Sequence, residues 1–165
     1  MIKLLWRARR DLNPIGYEIV HVAVDDASRL VFAHILPDGR GTTAARFLLE
    51  AAAFFAEYGI RIQRVMTDQS PSYTRSLAFR TALRQLEARH KITRPYRPQT
   101  NGKAERFIRT LLHEWAYARV YESNQERHEA IAKWLHYYNY HRTHTALGGR
   151  PPASASVNNV CGNYS

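Results

Sequence analysis

Two carboxylates stand where chemistry is usual. Asp68 follows the run Val65-Met66-Thr67, at the end of a segment that reads as a strand. In an open α/β sheet the carboxyl ends of strands face the ligand crevice. Glu105 falls in the first turn of a helix that opens after the loop RPYRPQTNGK. An acid there can be an ordinary partner of the helix dipole. From Arg89 to Arg109, however, there are seven cations (Arg89, Lys91, Arg94, Arg97, Lys103, Arg106, Arg109) and one acid, Glu105 itself. Arg106, Arg109 and His113 follow at i, i+3 and i+7, along one helix face. A carboxylate inside such a strip weakens phosphate binding unless a divalent cation bridges the two, as in two-metal phosphoryl transfer. Oxygen-ligand sites have no tight sequence spacing, so the pair by itself leaves both readings open. Tyr96, between Arg94 and Arg97, adds a stacking surface suited to strand ends or unstacked bases.

The charge of the whole chain points the same way. Twenty-four Lys and Arg against fourteen Asp and Glu give a net charge of +10 over 165 residues, with a pI near 10.1. Most of these cations are Arg, whose planar fork pairs bidentately with phosphate. A polyanionic partner is implied. With 45% apolar and 12% aromatic residues the chain can bury a core, which excludes a disordered linker or a collagen-like fibre. The one cysteine, Cys161, excludes internal disulfides and a cysteine-rich metal site. No apolar run approaches a membrane span, and Arg7, Arg9 and Arg10 interrupt the N-terminal one, so the expectation is a soluble, intracellular protein without a membrane partner.

The elements that must position these residues alternate in type. Residues 17–24 and 30–36 read as strands joined by a turn at 25–29, and Pro37-Asp38-Gly39 then breaks the chain. Thr42 or Thr43 can cap a helix over 44–58, with Gly59 as its stop. A strand over 60–67, a polar loop at 68–73, a helix near 76–88 and a short strand at 91–93 follow. Beyond the loop at 94–102, residues 103–120 carry an apolar stripe through Phe107, Ile108, Leu111, Leu112, Trp115 and Ala116. Ser123 and Glu126 form a capping box for a last helix to about Tyr140, and the segment 148–165 reads as a fraying tail. The order β-β-α-β-α-β-α-α predicts a mixed α/β sandwich. Asp25 and Asp26 lie in the hairpin turn, where Asp is favoured by local hydrogen bonding. His136, His141 and His144 read as helix-end and packing residues rather than zinc ligands.

Four ordered segments carry a resemblance: GYEIVHVAVDDASR (16–29), VMTDQSPSY (65–73), TRPYRPQTNGKAERFIRTL (93–111) and YNYHRTHTALGGRPP (138–152). Together they resemble the catalytic core of insertion-sequence DDE transposases and retroviral-type integrases, over nearly all of the chain beyond residue 15. The resemblance implies a ribonuclease H-like mixed sheet flanked by helices, and an Asp-Asp-Glu triad holding two Mg²⁺ (or Mn²⁺) ions for DNA strand cleavage and transfer. Asp68 matches the second triad acid and Glu105 the third, with thirty-six residues between them. Arg94, Tyr96, Arg97, Lys103, Arg106 and Arg109 are the matching DNA-binding candidates. The implied partners are mobile-element ends and target DNA, together with a second copy of the chain or a full-length transposase. The implied location is the bacterial cytoplasm, in action at the nucleoid.

The sequence departs from the family in two places. The first triad Asp should lie on a strand preceding residues 17–24, but Asp11 is the only acid upstream of that strand's opening and stands in an Arg-rich run. A central strand covered on both faces should be almost continuously apolar. The expectation is therefore an N-terminally truncated core: an atypical remnant at 1–15, an integrase-type core at 16–147 and a tail at 148–165, with the opening strand missing or degenerate and Asp11 as the one substitute third acid. In the second place, Gln69-Ser70-Pro71 replaces the family's Asn-Gly-Ser after Asp68, which removes backbone freedom at a tight turn. The activity implied is DNA integration and transposition, impaired by loss of the first Asp. The alternatives are an inactive DNA-binding or transposase-binding remnant, and a ribonuclease H-like nuclease outside the transposases.

Overall fold

The β-branched and aromatic residues ahead of the first turn form β2 (Glu18–Asp25), which pairs antiparallel with β3 (Val31–Leu36) from Ile19↔Leu36 to Val24↔Val31. The turn between them is built by Asp25, whose Oδ2 accepts from the Ser28 N–H and hydroxyl at 2.9 Å each and from the Ala27 N–H at 3.2 Å. Asp25 is thus committed to the turn, as its position predicts. The computed structural model describes residues 1–9, 18–93 and 102–157.

Of the two expected alternatives for the opening strand, missing or degenerate, the structure shows the second: a strand is present, and it is charged and carries no acid. Strand β1 (Ile2–Arg9) lies at the centre of a five-stranded sheet of order β3-β2-β1-β4-β5, where β4 is Arg64–Thr67 and β5 is Arg89–Ile92. Its pairing with β2 is antiparallel over all eight residues, from Ile2↔Asp25 to Arg9↔Glu18. Its pairing with β4 is parallel and involves only Ile2↔Val65 and Lys3↔Met66. The charged half of β1 therefore runs past the end of β4 and, among the described residues, has one neighbouring strand, so the demand for continuous apolar sequence applies only to its start. There Ile2 and Leu4 are fully buried, and the hidden Lys3 ammonium lies 3.3 Å from the Asp26 carboxylate. Asp11 lies outside the described residues.

One face of the sheet is covered by α1 (Gly41–Glu57) and α3 (Leu77–Gln85), whose Phe47, Leu48, Phe55, Phe79 and Leu83 pack with Ile2, Leu4 and Val65. The other face carries α4 (Gly102–Leu111) and α5 (Asn124–Tyr140), packed on Val22, Val24, Val31 and Ala33. Several boundaries differ from those predicted. Helix α1 starts at Gly41 with no side-chain cap, because Thr43 donates its hydroxyl to Asp38 (2.6 Å) instead. The apolar stripe of α4 continues through a wider π turn at Leu112–Ala116 and stops there, short of residue 120. Ser123 caps α5 as predicted, while Glu126 reaches back to the Glu122 N–H. The region beyond Gly148 is not all frayed: Pro152–Val157 forms a sixth helix, and its Ala153 is buried. No helix is long and apolar enough to cross a membrane among the described residues.

Candidate active site at the carboxyl end of β4

Asp68 leaves β4 half-buried, and the loop that holds it is tied on both sides. Its Oδ1 accepts from the Ser70 N–H at 2.9 Å. The Thr67 hydroxyl donates to the Asp68 carbonyl (2.9 Å) and lies 2.8 Å from the His90 Nε2 on β5. The Thr93 N–H donates to the Thr67 carbonyl at 2.9 Å. Burial lowers the His90 pKa below its ordinary value, so a neutral ring serves this network. Pro71 does not distort the loop. It opens the short helix α2 (Pro71–Thr74) at a first-turn position, where its fixed φ fits and its missing N–H is not needed. Tyr73 of α2 is fully buried, and its hydroxyl pKa is driven well above normal by burial and, secondarily, by the charge of Asp68.

A close approach fixes this loop against α1. A Cβ on Gly41 would collide with the Ser76 side chain and lie 2.9 Å from the Ser72 carbonyl. The Ser72 hydroxyl in turn donates to the Gly39 carbonyl. Glycine is required here for contact between the start of α1 and the segment that follows Asp68.

Glu105 is exposed in the first turn of α4, on the helix that packs against the β2–β3 side of the same sheet. Phe107, Ile108 and Leu111 are the buried stripe that sets the rotation of α4, with Phe107 edge-on to Tyr138 at 5.0 Å between ring centroids. Arg106 and Arg109 point away from that stripe and are exposed, three residues apart. Arg94, Tyr96 and Arg97 lie outside the described residues, as does the side chain of Lys103, whose backbone belongs to the first turn of α4. Asp68 and Glu105 thus occupy a strand end and a helix start as the spacing predicts. Among the described residues no three His, Cys, Asp or Glu side chains gather into a metal-holding group.

The central strand explains that shortfall. β1 reads Ile-Lys-Leu-Leu-Trp-Arg-Ala-Arg and contains no acid. Lys3 is paired with Val24 and Met66, which places it on the α4 side of the sheet, two residues (about 7 Å) short of the level of Asp68. Two Mg²⁺ ions share a bridging carboxylate, and each takes about six oxygen ligands. Asp68, with one oxygen already engaged, and Glu105 do not fit such a pair, and the Lys3 ammonium on the same side of the sheet is turned to Asp26 and brings no oxygen ligand.

Some structural residues were not read from the sequence. Asn139 of α5, nearly fully buried, accepts from the Val31 N–H (3.0 Å) and donates to the Val31 carbonyl (2.8 Å). Glu114, carried by the π turn, accepts from Arg142 at 2.6 Å and from the Trp134 indole at 3.4 Å. That carboxylate raises the Arg142 pKa. These bridges pin the far end of α4 to α5. An Asn and an Arg inside YNYHRTH were the available signal, but surface polarity explains such residues equally well. His136, Tyr140 and His141 pack ring on ring at the end of α5, in keeping with their reading as packing residues.

Residues 12–98 and 86–152 each match a family model described as an integrase core domain. An uncharacterized 39.2 kDa protein of insertion element IS476 from Xanthomonas euvesicatoria is 32% identical over 111 residues, covering 67% of this chain and 31% of that protein. The transposase of insertion sequence element IS904 from Lactococcus lactis is 34% identical over 89 residues, covering 53% of this chain and 35% of that protein. The chain spans about a third of the length of these relatives. Among solved structures, the catalytic core domain of BIV integrase superposes with a TM-score of 0.70 at 20% identity, over 99% of this chain and 97% of that one. The sheet and its flanking helices form a ribonuclease H-like fold.

Proposed function

Given that this chain belongs to the integrase core domain family, we propose that it binds DNA in integration or transposition and performs strand transfer weakly or not at all. One observation carries this reading. The strand at the centre of the sheet, where the family places its first triad acid, is filled by a sequence that contains none. Binding needs only what is present: Arg106 and Arg109 are exposed on one side of α4, which follows the basic segment 94–102 in sequence, and they meet phosphates as charge-assisted donors. Asp68 is pre-set by its loop, and Glu105 stands at the opening of α4. Without a third acid the two cannot clamp the attacking and leaving oxygens in line. A chain of this kind acts at the nucleoid on element ends or target DNA, paired with a second copy or docked on a full-length transposase.

The test is a nicking and strand-transfer assay on supercoiled and end-mimicking DNA with Mg²⁺ or Mn²⁺. The chain is compared with Asp68→Asn, Glu105→Gln and Asp11→Asn. Expected is trace turnover at most, alongside clear DNA binding. Robust turnover abolished by Asp68→Asn sinks the impaired reading, and abolition by Asp11→Asn as well identifies Asp11 as the third ligand. For binding, log affinity falls linearly with log salt, by about 0.9 per phosphate contacted. Replacing Arg106 and Arg109 by Ala flattens that slope by about two units if each meets one phosphate.

A further inference from the structure

The two strands beyond β1 are treated differently from the rest of the sheet. On the α4 side, the helices cover β2 and β3, and the apolar cluster beneath them contains no residue of β4 or β5. The alternation of β5 shows which side chains point there. His90 packs on Phe79 of α3 at 5.5 Å, so Arg89 and Lys91 face away from α3, toward the side that α4 occupies. Both are exposed. Arg64, the direct partner of Arg89 in the parallel register, is exposed as well, while its neighbour Val65 enters the core under α1 and α3.

Arg64 and Arg89 are therefore like charges placed opposite one another on adjacent strands, an arrangement that costs stability. Neither has an acidic partner among the described residues. Together with Arg61 they line a basin of about 400 Å³ at the amino ends of β4 and β5, with Ile62, Gln63 and Glu87 completing its wall. Glu87 is engaged by Arg61. The basin keeps the two unpaired guanidinium groups as excess charge, and Lys91, level with Met66, continues it along β5.

We propose that the exposed basic side chains at the amino ends of β4 and β5 form a second contact surface for the phosphodiester backbone of duplex DNA, with Arg64 and Arg89 holding phosphate and Lys91, beside the buried Met66, extending the track toward Asp68. The inference rests on the DNA-binding reading above and adds a surface separate from the Arg106–Arg109 strip. Repulsion between the paired arginines is relieved when phosphate comes between them, which gives the pair a reason to exist that folding does not supply. Arg64 and Asp68 are four residue steps apart along β4, about 13 Å, which is the axial rise of about four base pairs. A duplex engaged at Asp68 is thus held again about four base pairs away.

The test is fluorescence anisotropy on duplex DNA over a salt series, with thermal melting of each variant. Arg64→Gln combined with Arg89→Gln should flatten the salt slope by about 1.8 units while leaving the melting temperature unchanged or raised. The loss should add to that of Arg106→Ala with Arg109→Ala, because separate surfaces act independently. Lys91→Gln alone should remove about 0.9 unit. Arg80→Gln, an exposed arginine on α3, should change nothing. If the unaltered chain binds DNA and the Arg64/Arg89 variant keeps its full slope, this surface is refuted and the α4 strip stands. An unaltered chain that binds no DNA overturns both. A double variant that melts lower and binds with unchanged slope assigns the two arginines to the fold.

Discussion

The antiparallel and parallel halves of the sheet divide the work of the molecule. Strands β1, β2 and β3 pair over six to eight residues; β2 and β3 carry apolar clusters on both faces, and β1 adds Ile2 and Leu4 to the cluster under α1 and α3. Strands β4 and β5 pair over four residues, are covered from one side by α1 and α3, and show Arg64, Arg89 and Lys91 on the other. Burial supplies stability in proportion to apolar area removed from water, so it is concentrated in the first half. Exposed charge and a strand end with a fixed loop are concentrated in the second. The second surface proposed to meet phosphate thus lies on the half of the sheet that the core seals least.

The largest effect that separates the halves is expected at Phe107. Truncation to Ala removes a ring that packs on Tyr138 and Trp134, and should cost about 3–4 kcal/mol of unfolding free energy in urea. Ile92→Ala on β5, already 43% exposed, should cost less than about 0.5 kcal/mol. Comparable losses at the two sites would break the comparison. Next in size is Asn139→Ala, which leaves the Val31 N–H and C=O without their side-chain partner in a buried position. About 2–3 kcal/mol should be lost, and hydrogen exchange at Val31 should accelerate with it.

The smallest expected effect is in pH, and it sharpens the comparison because each half holds a buried imidazole. Burial lowers the pKa of His21 on β2 and of His90 on β5 below the ordinary 6.5, and His21 is the more deeply buried. The unfolded chain takes up protons first. The stabilisation is thus complete above about pH 6.5 and is lost as pH falls through the lower folded-state values. Melting temperatures should decline from pH 7 to pH 5, and His21→Gln should flatten that decline more than His90→Gln. A steeper decline in either variant reverses the assignment.

Legibility in the sequence followed the same division. Helix α1 was readable from its apolar stripe, and α5 from the capping box of Ser123 and Glu126. Asp68 and Glu105 were placed correctly at a strand end and a helix start, since local pattern decides both. Whether β1 was missing or only degenerate was not readable, because its charge was weighed against burial along its whole length, whereas β4 reaches only Ile2 and Lys3. The Asn139 clamp and the opposed Arg64 and Arg89 depend on which residues meet across strands and layers. Nothing in the neighbouring sequence encodes that register.

The Asn139 clamp also sets an order of events. Val31 and the side chain that satisfies it are 108 residues apart. A ribosome adding about 5–20 residues per second needs roughly 5–20 s to cover that interval. For that time the β2–β3 hairpin exists with its outer rung unsealed. Contacts of such long range are also late for entropic reasons, because the intervening loop must close before they form. The outer strand of the sheet is therefore completed only as the last long helix docks, and interruption of synthesis before Asn139 leaves an open strand edge able to pair with another nascent chain.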